Sequence, residues 1–179
     1  MGKRACVLLP AIIALVLHSS FSNPVGPVPW KVKYYLSNFH HLANKVEKDY
    51  GIPKAITLAV AGLESAWGTS ELAKNSNNHF GIKSTNWDGP VYCKMTLEHM
   101  VARGFYQVED CFRQYQYIGE GYRDFGKHLQ RDRYRNMFEQ TASNYSEWAF
   151  ELQKAGYATD PSYARKLIRL IEDYRLDKL

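Results

Sequence analysis

Val60-Ala61-Gly62-Leu63-Glu64-Ser65-Ala66-Trp67-Gly68 sets one carboxylate in a run of small and apolar residues. Upstream, Pro53 is placed to open a helix, and Ile56, Ala59, Val60, Leu63 and Trp67 recur at helical spacing. The stretch therefore reads as a helix ending around Gly68, with little of its surface exposed, and a helix apolar nearly all round belongs in a core. Helical geometry brings Val60, Ala61, Trp67 and Gly68 closest to Glu64. Such surroundings disfavour the charged form and raise the carboxyl pKa towards the range where it holds a proton near neutrality. A proton donor is what cleavage of a glycosidic bond requires, because the sugar oxygen leaves poorly until it is protonated. An isolated Glu at a helix end is more often a cap or a salt bridge, so the context rather than the residue carries this reading.

Before this stretch, Val32, Leu36, Phe39, Leu42, Val46 and Tyr50 mark an amphipathic helix that Gly51 stops. After it, Asn75 to Gly81 form an Asn- and Gly-rich loop. Two strand-like segments follow, Val91 to Glu98 and Phe105 to Phe112, joined by a short stretch containing Ala102-Arg103-Gly104. The helical period returns at Ile118, Tyr122, Phe125 and Leu129, at Trp148, Ala149, Leu152 and Ala155, and at Tyr163, Leu167, Ile168, Ile171 and Tyr174. Gly156 falls just past one of these helices and Pro161 at the start of the last. The plan is a mainly α (α+β) fold, a helical domain with a small β-hairpin lobe inserted between helices.

A hairpin centred near Ala102 sets Cys93 opposite Cys111, close enough for a cross-strand disulfide. Two reduced, half-buried thiols are the alternative, since sequence does not prove connectivity. With no Cys-x-x-Cys motif or dense Cys/His cluster, a structural zinc site is not expected, and no metal or organic cofactor is implied.

The first thirty residues differ from the rest. Basic Lys3-Arg4 and the apolar run Val7 to Leu17 have the outline of a signal peptide over residues 1–22, with cleavage expected between about Ser20 and Asn23. The run is too short to span a bilayer comfortably. Cys6 precedes it, whereas a lipidated cysteine would follow it. A Pro-rich connector occupies residues 23–30 and one domain residues 31–179. The formal charge is +5, of which Lys3 and Arg4 supply two, leaving +3 on the mature chain. That suits an anionic wall and is too weak and scattered for nucleic acid. The mature chain is expected to be a monomer, exported to the periplasm or beyond the cell and not integral to the membrane.

The stretch Gly51 to Gly68, together with Ser70-Glu71-Leu72-Ala73 and Asn77-Asn78-His79-Phe80-Gly81-Ile82-Lys83, closely resembles the family 73 glycoside hydrolases. The likeness continues through Cys111 to Tyr115, Gly121 to Phe125 and Ala155 to Ala164. These are bacterial endo-β-N-acetylglucosaminidases that cut the glycan strands of peptidoglycan on a lysozyme-like fold. The resemblance makes Glu64 the general acid, as the Glu of the family's Glu-Ser-x-Trp-Gly motif. It makes Glu98, in Thr96-Leu97-Glu98, the candidate base or stabilising carboxylate. The His99-Met100-Val101 that follows departs from the common pattern, and Glu109 and Asp110 are nearby competitors. Tyr157 matches a cleft tyrosine able to orient the substrate's N-acetyl group or a water. Asn78 and Phe80 are expected to touch sugar, Trp67 to wall the acid's pocket, and Trp87 to offer an alternative sugar platform. Alternatives on the same fold are a muramidase or lytic transglycosylase, or a peptidoglycan-binding module without catalysis.

Overall fold

In the computed structural model, the described residues are 27–100, 104–139 and 144–179, without the side chains of 97–100, 104–106 and 139. The expected signal peptide and residues 23–26 of the connector lie outside them.

Helix α1 (Trp30–Tyr50) ends where Gly51 turns left-handed at φ 70°, its N–H donating to the Glu47 carbonyl. Its buried stripe is rotated from the expected one. Tyr35 and Ala43 join Val32 and Val46 inside, while Leu36, Phe39, Leu42 and Tyr50 are half-buried against the same core. Helix α2 (Lys54–Ser65) is buried continuously from Ala55 to Gly62. Packing it against α1 removes side chains such as Ile56, Leu58 and Val60 wholly from water, each worth roughly 1.5–3 kcal/mol. A short helix that periodicity did not reveal, α3 (Glu71–Ser76), is capped by Ser70, whose hydroxyl accepts from the Ala73 N–H at 3.2 Å.

Strands β1 (Val91–Met100) and β2 (Gly104–Arg113) pair antiparallel as the only sheet among the described residues, with Cys93 opposite Cys111 in the expected register. A disulfide joins the two. A lone two-stranded hairpin is marginal in water, and here its root is tied down. Arg113 N–H donates to the Ile82 carbonyl and Gln114 N–H to that of Pro90. The Arg113 guanidinium, almost fully buried, grips both oxygens of Asp124 at 3.0 and 2.9 Å, and the Tyr115 hydroxyl donates to Asp124 at 2.6 Å.

Asp124 belongs to α4 (Ile118–Leu129), which packs on α1. A 3-10 turn (Asp132–Tyr134), α5 (Asn136–Glu139), α6 (Tyr145–Lys154) and α7 (Tyr163–Tyr174) complete the helical body, with α7 lying against both α6 and α2. Gly156 takes φ 72° just beyond α6, as its position implied. Pro161, expected at the start of α7, stands before it, because Asp160 and Ser162 make the entry turn. Among the described residues no helix is long and apolar enough to cross a membrane.

Candidate active site

Glu64 sits in the last turn of α2, and the residues after it end the helix at Ser65, three residues short of the expected Gly68. Ala66, Trp67 and Gly68 all adopt positive φ, at 50°, 60° and 75°, a conformation that costs energy for the two that carry a Cβ. Two contacts hold it. The Ser65 hydroxyl donates to the Ala61 carbonyl at 2.5 Å and accepts from the Gly68 N–H at 2.8 Å. The Trp67 N–H donates to the Gly62 carbonyl at 2.9 Å, folding the indole back onto Gly62, where a Cβ would fall 2.7 Å from the ring. Glu64 is thus carried by the last turn of a largely buried helix, one residue before its end.

The Glu64 carboxyl is half-buried in a groove of about 630 Å³ between the helical body and the hairpin. Its floor and one wall come from Phe80, Gly81, Tyr134, Tyr157 and His128, and the hairpin contributes Lys94, Thr96 and Phe112. Oε1 accepts from the Tyr163 hydroxyl at 2.9 Å, and a Cβ built on Gly81 would stand 3.4 Å from Oε2, so backbone passes close to the carboxylate. Burial pushes the carboxyl above its ordinary value, against the opposing pull of the Tyr163 hydroxyl and the positive Lys166. His128 is shifted the other way, down to about 4, first by burial and then by neighbouring Arg131 and Arg113. The groove therefore holds a carboxyl biased towards its acid form beside a neutral imidazole.

Tyr157 lines the groove and stacks on Tyr163 with ring centres 5.8 Å apart. Its hydroxyl donates to the Phe80 carbonyl at 2.9 Å and stays protonated, because burial and the nearby Glu64 carboxylate oppose its ionisation. Glu98 lies in β1 opposite Tyr106, two residues along from Thr96, and its side chain is outside the described residues. Of its competitors, Asp110 accepts from Thr96 Oγ1 at 2.7 Å and from Lys83 Nζ at 2.8 Å, while Glu109 is exposed on the alternate face of the strand.

Other expectations require correction. Asn78 is buried and every polar position of its amide is spent inside the protein, donating to the Ile82 and Arg113 carbonyls and accepting from the Phe80 and Ile82 N–H groups. It clamps the loop to the hairpin root and has nothing left for sugar. Phe80 touches the groove but is 1% exposed, stacked on Phe125 at 4.2 Å. Trp67 does not wall the acid's pocket. Because the helix stops early, its ring leaves the Glu64 side and lines a different hollow with Tyr35 and Trp30. Trp87 stands in a neighbouring groove, with the Arg113 guanidinium 4.6 Å from its ring centre and the backbone of Gly89 against its edge. It lies at the turn before β1, outside the groove that holds Glu64. Tyr163, among the described residues the one side chain bonded to Glu64, read as a core position of the last helix within the Ala155 to Ala164 motif, and nothing in its spacing marks it otherwise.

These features align with known proteins. The glucosaminidase family model, described as mannosyl-glycoprotein endo-beta-N-acetylglucosaminidase, matches residues 40–176. The peptidoglycan hydrolase FlgJ of Pseudomonas aeruginosa is 33% identical over 142 residues, covering 76% of this chain and 35% of that protein. The exo-glucosaminidase LytG of Bacillus subtilis is 37% identical over 135 residues, covering 72% and 46%. The chain thus spans about a third to a half of the length of these curated relatives. Among solved structures, the catalytic domain of the autolysin Auto from Listeria monocytogenes superposes with TM-score 0.74 at 30% identity, covering 87% of this chain and 90% of that one. A truncated glycoside hydrolase domain of Salmonella typhimurium FlgJ gives 0.63 at 34%, covering 83% and 99%. With its lysozyme-like body, hairpin lobe and a family match over residues 40–176, the chain belongs to the glucosaminidase family.

Proposed function

We propose that this protein is a peptidoglycan hydrolase, an endo-β-N-acetylglucosaminidase that cleaves the β-1,4 bond after N-acetylglucosamine with Glu64 as general acid. The observation that carries the reading is a half-buried carboxyl in the interlobe groove, raised in pKa by burial and held by one tyrosine hydroxyl. Such a group keeps a proton to deliver to the leaving oxygen as positive charge grows on the sugar ring. Family membership and the kinship to peptidoglycan hydrolases and a glucosaminidase supply the substrate class.

Glu98 is the second carboxylate in this reading, supported by its place on β1, the strand that brings Thr96 and Lys94 to the groove. It activates water or stabilises the positively charged sugar. Tyr157 orients the N-acetyl group or the water from the opposite wall. Residues 1–22 direct export and are removed, which puts the mature domain in the periplasm or outside the cell, where its substrate is.

Mass spectrometry of fragments released from purified peptidoglycan tests the proposal. New reducing ends on N-acetylglucosamine are expected. Ends on N-acetylmuramic acid would make it a muramidase, anhydro ends a lytic transglycosylase, and no fragments a binding module. Fragment length separates cutting within strands from trimming of their ends.

A further inference from the structure

We propose that Lys94 is a carboxylate-binding residue that makes the groove select glycan strands bearing free carboxylates over neutral ones, an inference that rests on the hydrolase reading above. The observation is an imbalance of charge. Lys83, Lys94 and Arg133 line the groove, where Glu64 is biased towards its neutral form and Glu98, the second carboxylate of the reading above, stands four residues beyond Lys94 along β1. Lys83 is matched by Asp110. Arg133 spends its donors on the neutral carbonyls of Ala155 and Gly156, so its positive charge is not cancelled. Lys94 is half-buried, and among the described residues it has neither an ion pair nor a hydrogen bond. Asp110 is its cross-strand partner, yet Oδ1 of that carboxylate is taken by Lys83 and Oδ2 by Thr96.

A groove-lining lysine without a counter-charge attracts an anion that enters the groove. Lys94 reaches in from the hairpin and Arg133 from the turn after α4, so the positive field spans the groove from two sides. Bacterial wall strands carry carboxylates of two kinds, on the lactyl ether of those alternate sugars that bear no peptide and, where the lactyl carboxyl is amide-bonded to a peptide, on that peptide. Strands of N-acetylglucosamine alone carry neither.

Binding of soluble peptide-bearing strands, before and after carbodiimide amidation of their carboxylates, is measured by titration calorimetry on the Glu64→Gln protein, which leaves them uncut. The acidic strands are expected to bind roughly tenfold more tightly than the amidated ones. Adding Lys94→Met removes that preference, and adding Lys94→Arg keeps it. Equal weakening towards both strands by Lys94→Met, no weakening towards either, or no preference in the parent would overturn the proposal. Strands stripped of peptide, in which cleavage of the amide sets the lactyl carboxylate free, identify the source: tighter binding than to their own amidated form shows that the lactyl group is taken, and equal binding assigns the peptide's carboxylates. Release of reducing ends by the protein with Glu64 intact is followed separately. Its absence defeats the hydrolase reading and leaves the binding result standing.

Discussion

Glu64 and Asp124 are both half-buried carboxylates that accept a tyrosine hydroxyl, and they are put to opposite uses. Asp124 accepts from the Tyr115 hydroxyl, and both of its oxygens accept from Nη1 of Arg113, so it is bound from two directions at the root of the hairpin. Glu64 has Tyr163 alone and, among the described residues, no ion pair. The cation makes the difference. A carboxylate with a buried guanidinium is a strut, whereas one desolvated with only a hydroxyl for a partner is shifted towards its acid form and remains available for chemistry.

The largest expected effect separates the two sites. Glu64→Gln lowers glycosidic cleavage by about 10²–10⁴-fold, the range of a general acid, while circular dichroism and thermal melting show an intact fold. Asp124→Ala does the reverse. It strands Arg113 in a buried position and costs about 3–5 kcal/mol of stability in chemical denaturation. Should Asp124→Ala melt like wild type, the strut reading fails.

Removing the tyrosines sharpens the contrast. Tyr163→Phe takes away the hydroxyl that favours the ionised form of Glu64, so the basic limb of the pH–activity profile moves to higher pH. Tyr115→Phe costs about 1 kcal/mol of stability, a typical hydrogen bond, and leaves that profile where it was. A shift on Tyr115→Phe would mean the two sites are coupled.

The smallest effect is on melting. Glu64 binds its proton more tightly folded than unfolded, so above the unfolded pKa the unfolded state ionises first and wild-type stability falls as pH rises. Glu64→Gln has no such dependence. It is expected to melt slightly above wild type at neutral pH, with that advantage lost as pH drops below the ordinary carboxylate range. A constant difference across pH would show that desolvation is not what raises the carboxyl.

Periodicity revealed the fold wherever apolar residues recur at helical spacing over several turns. That suffices for α1, α2, α4, α6 and α7, and alternation with a symmetric turn set Cys93 against Cys111. It was blind to α3, which is too short to show a period. At the site, Glu64 was legible because a charged residue in an apolar run is an anomaly in one dimension. Tyr163, Lys94 and Arg133 were not, since an aromatic, a strand lysine and a turn arginine are ordinary in their own segments and meet only through tertiary packing. Asn78 and Trp67 misled for the converse reason. Each is chemically suited to sugar, and each is consumed by the architecture, a commitment visible only in Asn78's four internal hydrogen bonds or the left-handed turn that swings Trp67 onto Gly62.

That left-handed turn bears on how such chains are recognised. Of the five letters Glu-Ser-Ala-Trp-Gly, Ser65, Trp67 and Gly68 serve to stop a helix, and Gly62 upstream makes room for the indole. A descendant that lost its acid would gain nothing by losing the rest, because those positions answer to foldability rather than turnover. The signature therefore certifies ancestry, and under the proposed reading turnover rests on Glu64, the letter that takes no part in the turn.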